Sequence, residues 1–319
     1  MTDVHLSGTV YLDMVFSHLA GVPAPGRELR TEHLGMSPGG VANVTIALQR
    51  LGLSTRLDAA FADDEHGDYL WKTLTDEGVD LSGSIRFGDW TTPLTVSLVY
   101  SDDRSMITYE RPLPRPMPDV RTAGRTDTRA AFMTLGATVP DWLGWAGSDG
   151  TRVFADVGWD ESEGWPEAHL AGLDRVEAFL PNAAEAMAYT RTESVEASAE
   201  RLKDKVRVAV VKCGRDGSIA WRAGDPAPIR EPAIDIDCID TTGAGDVFDA
   251  AFIFGSLAGW ALPEILRFGN LCAGLSVRRH GGSLSAPTWG DVAERLAAES
   301  TAPERYAFLQ PHIDSMTRP

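Results

Sequence analysis

Residues 240–246 decide how this chain is interpreted, and they run Asp240-Thr241-Thr242-Gly243-Ala244-Gly245-Asp246. The stretch follows an alternating apolar run at residues 234–238 and precedes a predicted helix at residues 247–257. Its glycines let the backbone turn tightly and approach a ligand without obstruction from a Cβ atom. The N–H groups would project from a helix N-terminus, where the helix dipole also favours an anion. An aspartate there would repel a bound phosphate, so Asp246 is better suited to proton abstraction.

Other interpretations of this stretch make different predictions. Asp246 could simply stabilise the first helical turn, with the glycines forming an ordinary turn. A dinucleotide-binding turn requires a third glycine where this chain has Phe248, and no further strand unit follows to bind the ribose. The GxxxxGK[ST] phosphate-binding loop is absent from the sequence.

A second glycine-rich motif lies near the start of the chain and runs Pro38-Gly39-Gly40-Val41-Ala42-Asn43. A glycine pair again opens a predicted helix, and Asn43 lies one turn inside it. The Asn amide offers both a donor and an acceptor, which suits a sugar hydroxyl. Taken alone, a plain loop-to-helix junction explains this motif better than a binding site does.

Elsewhere the chain alternates strands with segments of helical length, which indicates βαβ units and a mostly parallel sheet. Strands are predicted at residues 4–11 and 55–61, and helices at residues 41–51 and 66–77. Residues 206–211 are almost entirely apolar, a pattern typical of a strand buried on both faces.

One region departs from this alternation. Residues 93–100 and 105–110 are rich in β-forming residues and are joined by Ser-Asp-Asp-Arg, which predicts a hairpin. Residues 29–34 predict another short strand. These strands do not fit a parallel sheet, so we expect a small β-appendage built from about residues 12–36 and 88–112.

The composition excludes several classes of protein. The apolar fraction of 43% and charged fraction of 24% are those of a globular chain. A formal net charge of −17 argues against a nucleic-acid partner. The longest apolar stretch, residues 247–262, is interrupted by Asp249 and is too short to span a membrane. Three isolated cysteines give no disulfide framework, and the N-terminus shows no targeting signal, so we expect a cytoplasmic protein.

Both glycine motifs, in this order and at this separation, resemble the two signatures of the ribokinase-like (PfkB) carbohydrate kinase family. The resemblance covers about residues 4–299. It implies a three-layer α/β/α fold with a mostly parallel central sheet, as one kinase domain over residues 1–319. The β-appendage then corresponds to the small sheet that forms a lid over the sugar in that family.

The resemblance also implies roles for individual residues. Asp246 would be the general base, beside an anion hole over Gly243, Ala244 and Gly245 within residues 242–245. The residues implied in sugar binding are Asp13, Gly39, Gly40, Asn43 and, from the lid, Arg111. Those implied in ATP binding are Asn182, Glu185, Lys212, Gly214, Gly217, Thr242 and Asn270, with Glu185 acting on Mg²⁺ through water. A K⁺ site is implied at Asp240, Thr242, Ser276, Arg279, Gly281 and Ser285.

Several of these positions have a purely structural alternative. Asn182 follows Pro181 and is a natural N-cap residue, which is compatible with a role in the site as well. Asp13 could be a turn residue at a strand end, and Lys212 an ordinary surface charge. Arg279 could complement a helix C-terminus, with Gly281 as its cap.

The predicted function is that of an ATP-dependent sugar kinase. We expect a neutral pentose or ketohexose from Asp13 and Asn43, while fructose, ribose and 2-keto-3-deoxygluconate all stay open. A nucleoside kinase of the same fold is the first alternative. A non-catalytic sugar-responsive regulator is the second, and the intact Asp246 argues against it. A homodimer through the lid is expected, because lid edges pair between subunits in this family.

Overall fold

Strands and helices alternate along the chain in this computed structural model, which describes residues 2–100, 103–117, 128–137, 139–144, 150–160, 162–298 and 304–316. Within these ranges the strands are β1 (Thr2–Ser7), β2 (Val10–Leu19), β3 (His33–Gly40), β4 (Thr55–Asp58), β5 (Ala60–Ala62), β6 (Ile85–Phe87), β7 (Leu94–Tyr100), β8 (Asp103–Tyr109), β9 (Thr128–Leu135), β10 (Arg152–Val157), β11 (Ala178–Phe179), β12 (Val208–Lys212), β13 (Ser218–Arg222) and β14 (Ile229–Glu231). The helices are α1 (Val41–Arg50), α2 (Glu65–Asp76), α3 (Ala183–Thr190), α4 (Val195–Leu202), α5 (Ala244–Ala258), α6 (Leu262–Ser276), α7 (Trp289–Ala298) and α8 (Gln310–Met316).

The main sheet has the strand order β14-β13-β12-β11-β10-β9-β1-β4. The six strands from β12 to β4 pair in parallel, and β13 and β14 extend the sheet antiparallel beside β12. Parallel strands end at the same sheet edge, where α/β proteins bind their ligands. The prediction of a mostly parallel sheet is confirmed.

Strand β12 shows why this sheet lies in the middle of three layers. Val208 and Val210 pack into one core with α1, α5 and α6, whereas Ala209 and Val211 pack into a second core with α3 and α4. Both sides of the strand are therefore apolar. The sequence pattern predicted this burial on two faces.

The small sheet is separate and has the order β3-β2-β7-β8. Its boundaries correct the predicted appendage, because β2 begins at Val10, β3 begins only at His33, and residues 20–32 and 88–93 form no strand. The predicted strand at residues 29–34 is therefore wrong. The β7–β8 hairpin is confirmed, while residues 101 and 102 of its turn lie outside the described residues.

Two predicted strands each divide between two sheets. Residues 4–11 were expected to form one strand, but the chain leaves the main sheet after Ser7 and enters the small sheet at Val10. Residues 55–61 likewise divide into β4 of the main sheet and β5, which pairs with β6. Apolar alternation continues through both changes, so the sequence pattern does not reveal them.

Over the described ranges, none of the helices combines the length and the apolar character that a membrane crossing requires.

Candidate active site

The two glycine motifs meet through their polar side chains. Asn43, in the first turns of α1, donates a hydrogen bond from Nδ2 to Asp246 Oδ2 at 2.9 Å. Asp246 lies in the first turn of α5, more than two hundred residues later in the chain. Asn43 Oδ1 is buried and has no hydrogen-bond partner, so it can accept a hydrogen bond from a ligand hydroxyl.

Glycine is required at the entrance to both helices. Gly40 has φ 62°, and a Cβ atom there would lie 2.4 Å from the Thr9 carbonyl oxygen. A Cβ atom on Gly39 would lie 2.2 Å from the Asp13 carboxylate, so the carboxylate of β2 lies directly against the backbone of β3. Gly243 caps α5 with φ 75°, in the left-handed region that glycine adopts at low cost.

These two helices also begin without a side-chain cap. Asp64, Asn182 and Ser194 accept hydrogen bonds from the first turns of α2, α3 and α4. No described side chain does so at the N-termini of α1 and α5, which are capped by glycines. Amides of a helix N-terminus that have no internal partner favour an anion, and these two helices begin at the glycine motifs that meet through Asn43 and Asp246.

The predicted anion hole over residues 242–245 needs a correction. The Thr242 amide donates to Asp240 Oδ1 at 2.9 Å, and the Ala244 amide donates to the Thr241 carbonyl at 3.2 Å. Internal hydrogen bonds thus occupy two of the expected donors. Gly243 and Gly245 supply the remaining amides of the turn.

Burial raises the pKa of both carboxylates at the centre of the site. The pKa of Asp246 is raised to about 6, because burial and the charge of Asp156 outweigh Lys212 and the Asn43 hydrogen bond. The pKa of Asp13 is raised to about 7 by burial and by the nearby Asp246. A base with a pKa near 6 is largely ionised at neutral pH and binds a proton better than an ordinary aspartate.

A buried ion cluster acts electrostatically on Asp246. Lys212 Nζ lies 2.8 Å from Asp156 Oδ2 and 2.9 Å from Asp249 Oδ1, and the Asp249 side chain is fully buried. Burial alone would lower the pKa of Lys212, but the two carboxylates raise it above its ordinary value. Lys212 is therefore a fixed positive charge, 3.5 Å from the Gly245 carbonyl oxygen.

A cleft of about 570 Å³ opens above Asp246 and Asp156. It lies at the carboxyl ends of β1, β9 and β10, and its wall includes Gly40 from the first motif. This volume is within the range of small-molecule binding sites. Trp142 also lines it.

Asn182 and Glu185 form a reciprocal capping box at the start of α3. The Glu185 amide donates to Asn182 Oδ1 at 3.0 Å, and the Asn182 amide donates to Glu185 Oε2 at 2.9 Å. Asn182 is therefore the N-cap residue of α3, as its structural alternative predicted. Burial, together with the charge of Asp156, raises the pKa of Glu185 to about 7, so Glu185 belongs electrostatically to the same site.

Arg104 is a cation at the site that the sequence analysis missed. It lies on β8 of the small sheet, and its Nη1 is 3.3 Å from Thr241 Oγ1 and 3.5 Å from Thr242 Oγ1. Its charge lowers the pKa of both Asp13 and Asp246 against the effect of burial. Arg104 therefore lies close to both the Asp13 carboxylate and the turn that precedes α5.

The residues that were predicted to bind K⁺ divide into two groups. Asp240 is buried with one carboxylate oxygen unpartnered, and Thr242 lies beside Gly282, which follows Gly281. Away from these, Arg279 is largely exposed and paired with Asp291. Two hydroxyls are directed at local carbonyls, because Ser276 Oγ donates to Ala273 and Ser285 Oγ donates to Gly282.

Other predicted residues lie away from the centre of the site. Arg111 is exposed, and its carbonyl oxygen accepts a hydrogen bond from Trp90 Nε1 at 2.9 Å. Asn270 Nδ2 is buried against the Glu231 and Pro232 carbonyls. Gly214 and Gly217 form the positive-φ turn after β12.

Asp156 and Asp249 are the functional carboxylates that sequence reasoning missed. Asp249 was the one charge in the apolar stretch over residues 247–262, and that isolation was the available signal. A lone carboxylate in a buried helix requires a partner, because an unpaired buried charge is costly. Asp156 is the penultimate residue of the otherwise mostly apolar strand β10, at the sheet edge where ligands bind.

The small sheet, the cleft at the strand ends and the buried Asp246 at the start of α5 are compatible with a phosphotransferase that has an alcohol group as acceptor. The model of the pfkB family of carbohydrate kinases matches residues 9–114 and 142–289. The chain therefore belongs to the pfkB family of carbohydrate kinases, and it transfers a phosphoryl group to a sugar hydroxyl. The family and fold expected from the sequence are confirmed.

Known proteins of several activities are similar to this chain. The 5-dehydro-2-deoxygluconokinase of Shouchella clausii (strain KSM-K16) is 26% identical over 91% of this chain and 94% of its own length. A nucleoside kinase of Methanothermobacter thermautotrophicus is 25% identical over 88% of this chain and 92% of its own length. The ribokinase of Arabidopsis thaliana, solved with ribose and ATP, has a TM-score of 0.76 and 24% identity over 92% of this chain and 98% of that chain.

Proposed function

We propose that this kinase transfers the γ-phosphoryl group of ATP to a sugar hydroxyl, with Asp246 as the general base. The observation that carries the proposal is the 2.9 Å hydrogen bond from Asn43 to Asp246. It joins the sugar-side motif to the phosphate-side motif at one carboxylate. Burial raises the pKa of that carboxylate to about 6, a value that suits a base at neutral pH.

Each residue of the site has a distinct part in the proposed reaction. Asp13 and Asn43 Oδ1 orient the sugar by accepting hydrogen bonds from its hydroxyls. Asp246 takes the proton of the attacking hydroxyl as the new O–P bond forms and the bond from the γ-phosphorus to ADP breaks. The amides of Gly243 and Gly245 stabilise charge on the transferring group. The small sheet excludes water that would otherwise hydrolyse ATP.

ATP is proposed as the donor because the similar Arabidopsis thaliana ribokinase was solved with ribose and ATP. Asn182, Lys212, Gly214, Gly217, Thr242 and Asn270 remain the proposed ATP-side residues. Glu185 is proposed to hold Mg²⁺ through water, and the ion would neutralise phosphate charge. The buried carboxylate of Glu185, close enough to be influenced by Asp156 and Asp246, suits a hydrated cation.

A K⁺ site is proposed at Asp240, Thr242 and the loop over residues 281–285. Asp240 Oδ2 is buried without a hydrogen-bond partner, and a carboxylate oxygen in that position is a suitable ligand for a cation. Ser276, Arg279 and Ser285 would contribute, if at all, through backbone carbonyls, because their side chains are held elsewhere.

The substrate is proposed to be a keto sugar, and one observation favours a sugar acid. Asp13 and Asn43 suit the neutral pentose or ketohexose expected from the sequence. Arg104, which faces Asp13 and Asp246, adds a cation that a substrate carboxylate would contact. The Shouchella clausii relative bears the name of a kinase for such an acid. Arg104 replaces Arg111 as the proposed carboxylate-binding residue.

A substrate panel tests this proposal. Purified enzyme with Mg-ATP is offered ribose, fructose, 5-dehydro-2-deoxygluconate, 2-keto-3-deoxygluconate and adenosine, and each product is identified by NMR. We expect turnover of one of the sugars, and for a sugar acid we expect Arg104→Gln to raise KM far more than Arg111→Gln does. Turnover of adenosine alone would favour a nucleoside kinase. Absence of ATP consumption with every acceptor would favour a regulator.

We also propose a homodimer that forms through the outer face of the small sheet. Met36, Met14, Val96 and Ile107 form one row across the four strands. This row lies on the face opposite to Asp13, and Ile107 is 67% exposed. An exposed apolar sheet face of this kind is typical of a protein–protein contact.

A further inference from the structure

Three histidines from distant parts of the chain meet where the small sheet contacts the loop after α6. His18 belongs to β2, His33 begins β3, and His280 lies in that loop. One potential ligand atom from each ring lies within 4.8 Å of the other two. The His18 and His280 Nε2 atoms are 3.3 Å apart.

These distances are close to those of a three-histidine metal site. A zinc ion about 2.0–2.1 Å from each imidazole nitrogen, in tetrahedral geometry, requires nitrogen atoms about 3.3–3.4 Å apart. The His18–His280 pair already has this separation. His33 would need to approach by up to about 1.5 Å, which side-chain rotation can supply.

A hydroxyl group also orients one of the rings. Ser17 Oγ lies 3.2 Å from His280 Nδ1, and Ser17 itself is buried. A hydrogen bond donated from Nδ1 to this oxygen leaves the Nε2 lone pair of His280 free for a metal. Metal-binding histidines almost always have such a partner on the second ring nitrogen.

The backbone of β2 is irregular at this position. The pairing of β2 with β7 shifts between Phe16 and Leu19, and His18 within this bulge has φ 56°. A residue other than glycine adopts this conformation at an energetic cost. The bulge directs the His18 ring toward His33 and His280 instead of leaving it in the regular alternation of the strand.

Access and charge are both compatible with a cation. His18 and His33 are exposed, so solvent can supply a further ligand. Arg279, the neighbour of His280, is paired with Asp291 at 2.6 Å. The chain as a whole carries a formal net charge of −17, which attracts cations from solution.

We propose that His18, His33 and His280 form a binding site for Zn²⁺, with water as the fourth ligand. Three imidazoles favour borderline transition metals over Mg²⁺ or Ca²⁺, which prefer oxygen ligands. Two ligands come from the small sheet and one from the loop after α6. The metal therefore joins the small sheet to the main body of the protein, next to the kinase site but outside it.

The test measures metal binding and melting temperature on protein whose purification tag has been removed and which has been stripped with a chelator. We expect one Zn²⁺ per chain by mass spectrometry, and visible absorption bands of four-coordinate Co²⁺ when cobalt replaces zinc. At a hundredfold excess of free Zn²⁺ over its dissociation constant, the melting temperature should rise by about 4 °C.

Single substitutions locate the metal. His33→Asn and His280→Asn should each weaken Zn²⁺ binding by more than about 100-fold, and Ser17→Ala by about 10-fold. His18→Asn should act like the first two and fold well, because Asn tolerates positive φ. His66→Asn, which changes an exposed histidine outside the cluster, is the matched control and should bind as the wild type does.

Two results would overturn the proposal. One is wild-type protein that binds no stoichiometric Zn²⁺. The other is Zn²⁺ binding that persists unchanged in His280→Asn, because the metal would then lie elsewhere, for example on the active-site carboxylates. Equal melting temperatures of the metal-free variants would show that loss of binding does not come from unfolding. Kinase activity is not part of the readout.

Discussion

The Asp13 carboxylate lies inside the protein, and its burial has a measurable cost. It lies against Gly39, is about nine-tenths buried and faces Asp246. Burial and the second carboxylate oppose ionisation, which raises its pKa to about 7. The residue therefore reduces stability at neutral pH, and the proposed sugar contact explains why the fold retains it.

The substitution Asp13→Asn should make the protein more stable at alkaline pH. Between the ordinary pKa of 3.8 and about 7 the folded chain holds a proton that the unfolded chain has lost, so this group's contribution to stability falls as pH rises through that interval. We expect the variant to exceed the wild type by up to about 4 kcal/mol at pH 8. At pH 5 the difference should fall to about 1.6 kcal/mol, because that pH is only about 1.2 units above the pKa of the unfolded chain, and it should vanish below that pKa.

Urea unfolding at the two pH values measures this effect. Asp89→Asn, which changes an exposed aspartate, is the control and should show no comparable pH dependence. An Asp13→Asn protein that is less stable than the wild type at pH 8 would contradict the account of Asp13.

The sequence predicted part of the residue-scale chemistry. Asp246 was predicted from its motif, because a glycine turn at a helix N-terminus favours an anion site, whereas the binding role of Asn43 was predicted only from the family resemblance. The partnership of Lys212 with Asp156 and Asp249 was not predicted, because three residues from three different elements meet there. Sequence distance carries no information about such a contact.

At the scale of elements, the start of α5 and the loop over residues 281–285 act together. A Cβ atom on Gly282 would lie 3.6 Å from Thr242 Cγ2 and 2.7 Å from Ser37 Oγ, so this loop touches both the α5 turn and β3. Ser283 Oγ also donates to the Pro38 carbonyl at 2.6 Å. A cation bound by Asp240 would therefore influence the anion-binding turn and the small sheet.

Potassium should activate the enzyme through this loop. In a Tris buffer without alkali ions, activity should rise on addition of KCl and respond less to NaCl, because K⁺ would stabilise the α5 turn. Asp240→Asn should lose this response, whereas Asp237→Asn, an exposed neighbour in the sequence, should keep it. Equal rates with and without K⁺ would remove the cation from the proposal.

The elements themselves were predictable where one pattern coincided with one element. The helix expected at residues 41–51 is α1 (Val41–Arg50), and the strand expected at residues 206–211 is β12 (Val208–Lys212). The pattern failed at residues 4–11 and 55–61, where the chain changes sheets without a break in its apolar alternation. Periodicity reports that a strand is half-buried, but it does not report which sheet the strand joins.

For the whole molecule, the small sheet has two faces of opposite character. Asp13 lies on the face toward the active site, and the row from Met36 to Ile107 lies on the other. We therefore expect a dimer at micromolar concentration by light scattering after size exclusion. Ile107→Glu should shift it to monomer, because burying that charge in the contact would be costly.

The matched control for this prediction is Val22→Glu, which changes a similarly exposed apolar residue outside the strands of the small sheet. It should leave the dimer intact. A wild-type protein that is monomeric at tens of micromolar, or a dimer unaffected by Ile107→Glu, would contradict the proposed contact.

The measurement that tests the central claim most directly is the turnover of Asp246→Asn. Asn can still accept the Nδ2 hydrogen bond of Asn43, but it cannot accept a proton, so kcat should fall by about 10²–10⁴-fold. The affinity for ATP should hold or improve, because a negative charge near the γ-phosphate is removed. Stability at neutral pH should hold or rise, by up to about 3 kcal/mol, because the raised pKa of Asp246 makes its ionised form unfavourable in the folded chain. Glu65→Gln, in the first turn of α2, is the control and should keep wild-type kcat.

The wild-type enzyme should also show kcat/KM rising with pH through about 6, as Asp246 loses its proton. If Asp246 only stabilises the first turn of α5, the pattern reverses, with a modest loss of stability and little change in kcat. The account predicts an Asp246→Asn protein that is folded, binds ATP and is nearly inactive. A folded Asp246→Asn protein that phosphorylates its sugar at near wild-type kcat would contradict it.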